Sequence, residues 1–163
     1  MPSYSSQFPD PIALITAKSG DRVNVMTAGW TTPVSSNPPI LMVSIAPQRY
    51  THDLILESRE FGLSILAEDQ KHLSELAGTL SGTKVNKIGR PEFELIEADK
   101  IGAPLIAGAR AWIECSLDSH HTVGDHTVFY GKVLKTTFDN TKSPLVLFFR
   151  KYYGLGEVKG LYP

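Results

Sequence analysis

The residues with the clearest chemical potential are Arg49, Tyr50 and Thr51, which stand just before a helical-looking segment, His52-Asp-Leu-Ile-Leu-Glu-Ser58. A guanidinium at a helix entrance brings together a fixed positive charge, hydroxyls and backbone N–H groups that the helix leaves unpaired. That combination suits a phosphate monoester. The chain directly upstream has the opposite character. No residue between Arg22 and Arg49 is charged, although 20% of the chain is Asp, Glu, Lys or Arg. Thr27, Thr31, Thr32, Ser35, Ser36 and Ser44 instead supply neutral donors and acceptors. Ala28-Gly29 would let a flat ligand approach the main-chain N–H groups, and Trp30 adds an aromatic face with one donor.

A phosphate site next to a flat, neutral, polar-edged wall has the outline of a flavin mononucleotide. The plainer alternative is two core strands followed by an arginine on a solvated loop, and the residues alone leave it open. Other motifs carry less. Gly78-Thr-Leu-Ser-Gly-Thr-Lys84 lacks the spacing of a phosphate-binding P-loop and the order of a nucleophile elbow, so it reads as a loop after a helix. His120, His121 and His126 match no ligand spacing, and the expectation is no metal. Cys115 falls on the apolar side of a strand and reads as an inert buried thiol. The carboxylates are scattered and do not suggest paired acid–base hydrolysis. His126 opens a strand after Gly124-Asp125; it is either satisfied by a neighbour or serves as a donor near a redox centre.

These residues need a scaffold. A chain of 163 residues is long enough for one buried core, and a single domain spanning 1–163 is expected. Net charge is −1, which provides no footprint for nucleic acid or an anionic membrane. The apolar runs, such as Leu145–Phe149, are too short to cross a bilayer, and no secretory leader is evident. One cysteine excludes an internal disulfide and fits a reducing cytoplasm. Strands are expected over Ile12–Ala17, Val23–Thr27, Ile40–Ile45, Phe61–Leu66, Ala109–Leu117, His126–Leu134 and Leu145–Phe149. Ile40–Ile45 is apolar on both faces, as for a strand inside a barrel or under a subunit interface. Helices are expected over His52–Ser58, with Thr51 as N-cap, and over Lys71–Ala77, with Gly78 as the stop. Asp118–Asp125 reads as a turn, and Thr79–Arg90 as a polar loop. The fold class is therefore mainly β, a β-barrel with short helices.

The set of local motifs resembles the flavin reductase-like, FMN-binding split-barrel family over nearly the whole chain. It comprises Pro11-x-Ala-Leu-Ile-Thr16, Asn24-x-Met-Thr-Ala-Gly-Trp30, Val34-Ser with Asn37-Pro-Pro39, Arg49-x-Thr51, Glu60-Phe61, Lys87, Ala103-Pro104, Ile113-Glu-Cys115, Gly124-Asp-His126 and Gly131-Lys-Val133. The resemblance implies a homodimer of split barrels that binds FMN near the subunit boundary. Members either reduce flavin with NADH or NADPH, or keep FMN bound and pass electrons onward. Flavin reductase or ferric reductase activity is the implied function, and a tight FMN-binding electron carrier without NAD(P)H activity is the alternative. By position, Thr27, Ala28, Gly29 and Trp30 with Val43, Ser44 and Ile45 would line the isoalloxazine and ribityl chain. Arg49, Thr51 and Lys87 would hold the phosphate, with Lys84 a rival to Lys87. His126 would stand by the nicotinamide, and Tyr152 would cover the ring. The electron acceptor would be a protein, free flavin or a ferric substrate.

Overall fold

A computed structural model describes residues 3–162. After a short 3-10 turn at Tyr4–Gln7 comes the two-residue strand β1 (Asp10–Pro11). Strands β2 (Ala13–Ser19) and β3 (Arg22–Ala28) then form a hairpin in which Ala13 lies opposite Ala28 and Ser19 opposite Arg22. A second hairpin joins β4 (Thr31–Ser36) to β5 (Pro39–Ile45). Helix α1 (Tyr50–Ser58), strand β6 (Glu60–Ile65) and helix α2 (Lys71–Thr79) follow. A long loop holds the paired strands β7 (Leu95–Ile96) and β8 (Leu105–Ile106). The longest strands are β9 (Ala111–Val123) and β10 (His126–Phe138), and the chain closes with β11 (Val146–Phe148) and β12 (Lys151–Tyr153).

Seven strands build one antiparallel sheet in the order β3-β2-β6-β9-β10-β5-β4, whose two edges do not hydrogen-bond to each other. The protein is a mainly β split barrel. β1, β11 and β12 form a small separate sheet. Period-two alternation sorts the apolar residues. Ala13, Ile15 and Ala17 of β2 join Val43, Phe61 and Phe129 in an inner cluster that Leu54 and Ile55 of α1 complete. Leu14 and Val25 point the other way, onto Leu73 and Ala77 of α2. Each large side chain buried this way contributes about 1.5–3 kcal/mol of transfer free energy. The result holds α1 and α2 against β2 and β3, with the C-terminal end of α2 near the N-terminal end of α1.

Several boundaries differ from the sequence expectation for identifiable reasons. Helix α1 begins at Tyr50, and Arg49 is its N-cap residue rather than Thr51. Thr51 is instead a fully buried first-turn residue whose hydroxyl accepts a 2.8 Å hydrogen bond from the Asn24 amide. α2 runs through Gly78 to Thr79. β9 continues to Val123 because His120 to Val123 pair with His126 to Phe129, which shrinks the turn to Gly124-Asp125. Gly124, at φ +60°, supplies the left-handed first position such a two-residue turn needs. β4 forms despite Pro33 because it is an edge strand, and its pairing with β5 shifts register between Pro33 and Ser35. Along β5, Leu41, Val43 and Ile45 are buried while Ile40, Met42 and Ser44 remain half-exposed. Leu145–Phe149 contributes only a three-residue strand outside the main sheet, and Phe149 turns at φ +50°.

Candidate flavin-binding site

The first turn of α1, strand β3, the end of α2 and the loop after it enclose a cleft of about 450 Å³. Asn24, Thr27, Arg49, Thr51 and Lys87 all line it. Three hydrogen bonds fix the walls. The Asn24 amide donates to Thr51, the Thr27 hydroxyl donates to the Ser74 carbonyl at 2.6 Å, and the Lys87 ammonium donates to the Ala77 carbonyl at 3.0 Å. The first and second bind β3 to the two helices, and the third holds the loop to the C-terminal turn of α2. A cation at that end of a helix is favourably placed against its carbonyls.

The electrostatics of the cleft are unbalanced. Lys87 is only 3% exposed. Burial first, and the Arg49 charge second, push its pKa down to about 8. Among the described residues neither Arg49 nor Lys87 forms an ion pair with a carboxylate. Two cations meeting without a counter-charge, at a helix N-terminus, make a site that favours an anion. The donor set fits a phosphate: a planar guanidinium, an ammonium, a hydroxyl and first-turn N–H groups.

Of the residues singled out from the sequence, Thr27, Arg49, Thr51 and Lys87 meet in this cleft. Lys84 does not line it and faces a neighbouring cavity instead. Ala28, Val43 and Ile45 send their side chains into the inner hydrophobic cluster. Next to them Ser44 is half-buried, and its backbone N–H donates to the Trp30 carbonyl at 3.0 Å. Gly29 is packed so closely that an added Cβ would lie 3.2 Å from the Cβ of Asp10. Trp30, 38% exposed, meets His126 with ring centroids 4.8 Å apart at a 40° tilt. His126 Nδ1 is 2.8 Å from Asp125 Oδ1. Tyr152 is apart from the cleft: its hydroxyl pairs with Ser74 at 3.0 Å, and its ring joins the cluster under α2.

The sequence reading passed over the rest of the cleft wall. Gly78, Leu80, Ser81 and Gly82 line it, so the rejected glycine-rich loop contributes to this site without being a P-loop. Its small, hydroxyl-rich composition beside two lysines was the available signal. Gly82 has a specific reason to lack a side chain, since an added Cβ would collide with the Asn24 amide. His52 was also overlooked. It is buried, with Nε2 2.9 Å from the Thr127 hydroxyl and Nδ1 3.0 Å from Asp53, and it clamps α1 to the start of β10.

Residues 5–156 match the model of the flavin reductase like domain. The chain belongs to the flavin reductase-like family. It is 33% identical over 150 residues to the NADH-dependent flavin reductase StyB of Pseudomonas fluorescens, covering 90% of this chain and 84% of that one. It is 39% identical over 117 residues to an uncharacterised protein of Archaeoglobus fulgidus, covering 72% of this chain but 66% of the relative. Among solved structures, an FMN-binding protein from Thermus thermophilus superposes with a TM-score of 0.86 at 30% identity, covering 100% of this chain and 95% of the other. No helix among the described residues is long and apolar enough to cross a membrane.

Proposed function

We propose that this flavin reductase-like protein binds FMN with its phosphate between Arg49, Lys87 and Thr51, and reduces it with NADH or NADPH. The carrying observation is the pair of cations, one buried, that share the α1 entrance with no carboxylate partner among the described residues. When bound, FMN supplies the hydride-accepting ring system. The chain's own residues bind and orient. Arg49 and Lys87 neutralise the phosphate, the Thr51 hydroxyl adds a donor, and Thr27 fixes the α2 end of the groove. The backbone around Ala28-Gly29 lies further along the same strand, where uncharged N–H groups suit the polar edge of a ring. Trp30 and His126 form an adjoining aromatic contact at which a nicotinamide would be received, with His126 as donor. The likeness to an NADH-dependent flavin reductase supports this direction of electron flow.

In this reading the chain is a single-domain subunit of a cytoplasmic homodimer that passes electrons to free flavin, a ferric substrate or an acceptor protein. Purified protein should accelerate NADH or NADPH oxidation, followed at 340 nm, once FMN is added. No acceleration with either nucleotide would rule the activity out. The buried position of Lys87 also favours a second reading, in which FMN stays bound and the protein is an electron carrier without NAD(P)H activity. A yellow protein that keeps its flavin through dialysis and does not oxidise NAD(P)H would select it.

A further inference from the structure

The first turn of α1 is tied to two strands at once. Thr51 accepts from the Asn24 amide on β3, and the next residue, His52, places Nε2 2.9 Å from the Thr127 hydroxyl on β10. Thr127 directly follows His126 in the chain. The geometry points to His52 as a positioning residue that holds the phosphate-binding entrance of α1 at a fixed place relative to His126. The inference rests on the flavin reading above, and it assigns a role to a side chain that does not line the cleft.

The imidazole is held from three sides. Nδ1 lies 3.0 Å from Asp53 Oδ1, and a carboxylate only accepts, so this nitrogen carries a proton. The Nε2 of the neutral ring then accepts from the Thr127 hydroxyl. The ring also meets the fully buried Phe129 edge-on, with centroids 5.1 Å apart and planes at 73°. Carboxylate, imidazole and hydroxyl in this order also make up an activated nucleophile. Thr127, however, is buried and pairs with Ile45 and Thr122 on either side, so its hydroxyl meets no substrate and the chain of bonds serves geometry. Away from water such bonds are strong and keep their direction. Thr127 and His126 point to opposite faces of β10, so holding the first from inside fixes the backbone that presents the second outside. A flavin anchored by its phosphate at Arg49 and Thr51 takes its place from α1, and the nicotinamide takes its place from His126. Hydride transfer depends on the distance between the two rings, and a misplacement of about 1 Å costs up to about a hundredfold in rate.

The test uses the full-length protein with His52→Ala, His52→Gln, Thr127→Val and the double variant His52→Ala/Thr127→Val. Single-turnover reduction of bound FMN, followed by loss of flavin absorbance, measures hydride transfer, and a fluorescence titration measures FMN affinity. His52→Ala and Thr127→Val should each slow hydride transfer by about tenfold and leave the FMN dissociation constant within about threefold. The double variant should be no slower than the slower single one, because both substitutions break the same bond. His52→Gln, whose amide can reach Thr127, should recover part of the rate. Amide hydrogen exchange in the first turn of α1, measured without ligand, should speed up in Thr127→Val. That variant keeps the side-chain volume and decides the matter if His52→Ala does not fold. The role is overturned if the folded variants transfer hydride at the wild-type rate, if the two effects multiply, or if FMN affinity falls as far as the rate. Wild-type protein that binds FMN but oxidises neither NADH nor NADPH would instead sink the reductase reading, and the role of His52 with it.

Discussion

Lys87 and Arg49 face the same cleft with no carboxylate among the described residues to balance them, and the guanidinium adds to burial in pulling the Lys87 pKa down to about 8. The folded value lies below the ordinary 10.5, so the charged form is disfavoured by folding. Lys87 therefore reduces the stability of the unliganded fold below pH 8, and that penalty fades as the pH rises from about 8 to 10.5. A bound dianion reverses the preference, because it favours the ammonium. FMN affinity is expected to be highest below pH 8 and to fall above it, by up to about tenfold per pH unit. Riboflavin, which has no phosphate, should lack this dependence. Fluorescence titrations of both ligands between pH 7 and 10 check the point, and parallel curves would remove Lys87 from the site.

Arg49 contributes differently. It occupies the N-cap position of α1 without a side-chain cap hydrogen bond and lines the cleft, so on the proposed function its removal should leave the fold intact while weakening phosphate binding. Arg49→Ala is expected to reduce FMN affinity by about 1.5–3 kcal/mol, the range for a hydrogen bond to a charged group. Riboflavin affinity should stay within about twofold on the same reasoning. An unchanged FMN dissociation constant would place the phosphate elsewhere.

How much of this was legible in the sequence varies with the range of the interaction. The strands followed from local pattern: β3 and β6 lie where apolar residues recur with period two, while β2 and β5 are short, nearly continuous apolar runs. The grouping of Arg49 with Thr51 was readable because both stand at a helix entrance, whereas Thr27, expected along the ring wall, lines the same cleft as they do. The role of Thr51 was misread, since a threonine before a helix pattern looks like a cap. Its real partner, Asn24, is 27 residues away. The extension of β9 through His120 to Val123 was hidden for the same reason. Polar residues there imitate a turn, and only pairing with β10 makes them a strand. The end of α2 and the loop after it joined the site through tertiary packing, Gly78 beside Thr27 and Gly82 beside Asn24, contacts between residues far apart in the chain.

The Asn24–Thr51 bond gives a stability prediction that is independent of any ligand. Both residues are almost fully buried, at 3% and 0% exposure. Thr51→Val keeps the shape of the side chain but removes the acceptor, leaving the Asn24 amide without this partner. The variant should lose about 1–3 kcal/mol of unfolding free energy, the penalty for an unsatisfied buried donor. Chemical denaturation at fixed pH measures it. A loss no larger than that of an exposed Thr→Val change would mean the amide finds another acceptor.

Trp30 and His126 test the proposed nicotinamide contact. Their ring centroids are 4.8 Å apart, outside the cleft at the α1 entrance, and His126 Nδ1 is 2.8 Å from Asp125 Oδ1. His126→Ala removes the donor without touching Arg49, Lys87 or the core. It is expected to lower kcat/KM for the nicotinamide nucleotide by about ten- to a hundredfold, the equivalent of one hydrogen bond to a reacting partner. Flavin affinity should remain that of the wild type. His126→Gln, which keeps a donor of similar reach, should recover part of the loss. Steady-state kinetics at saturating FMN, with flavin binding measured separately, distinguishes the two effects. If both variants weaken FMN and leave kcat/KM unchanged, His126 holds the flavin and does not receive the nicotinamide.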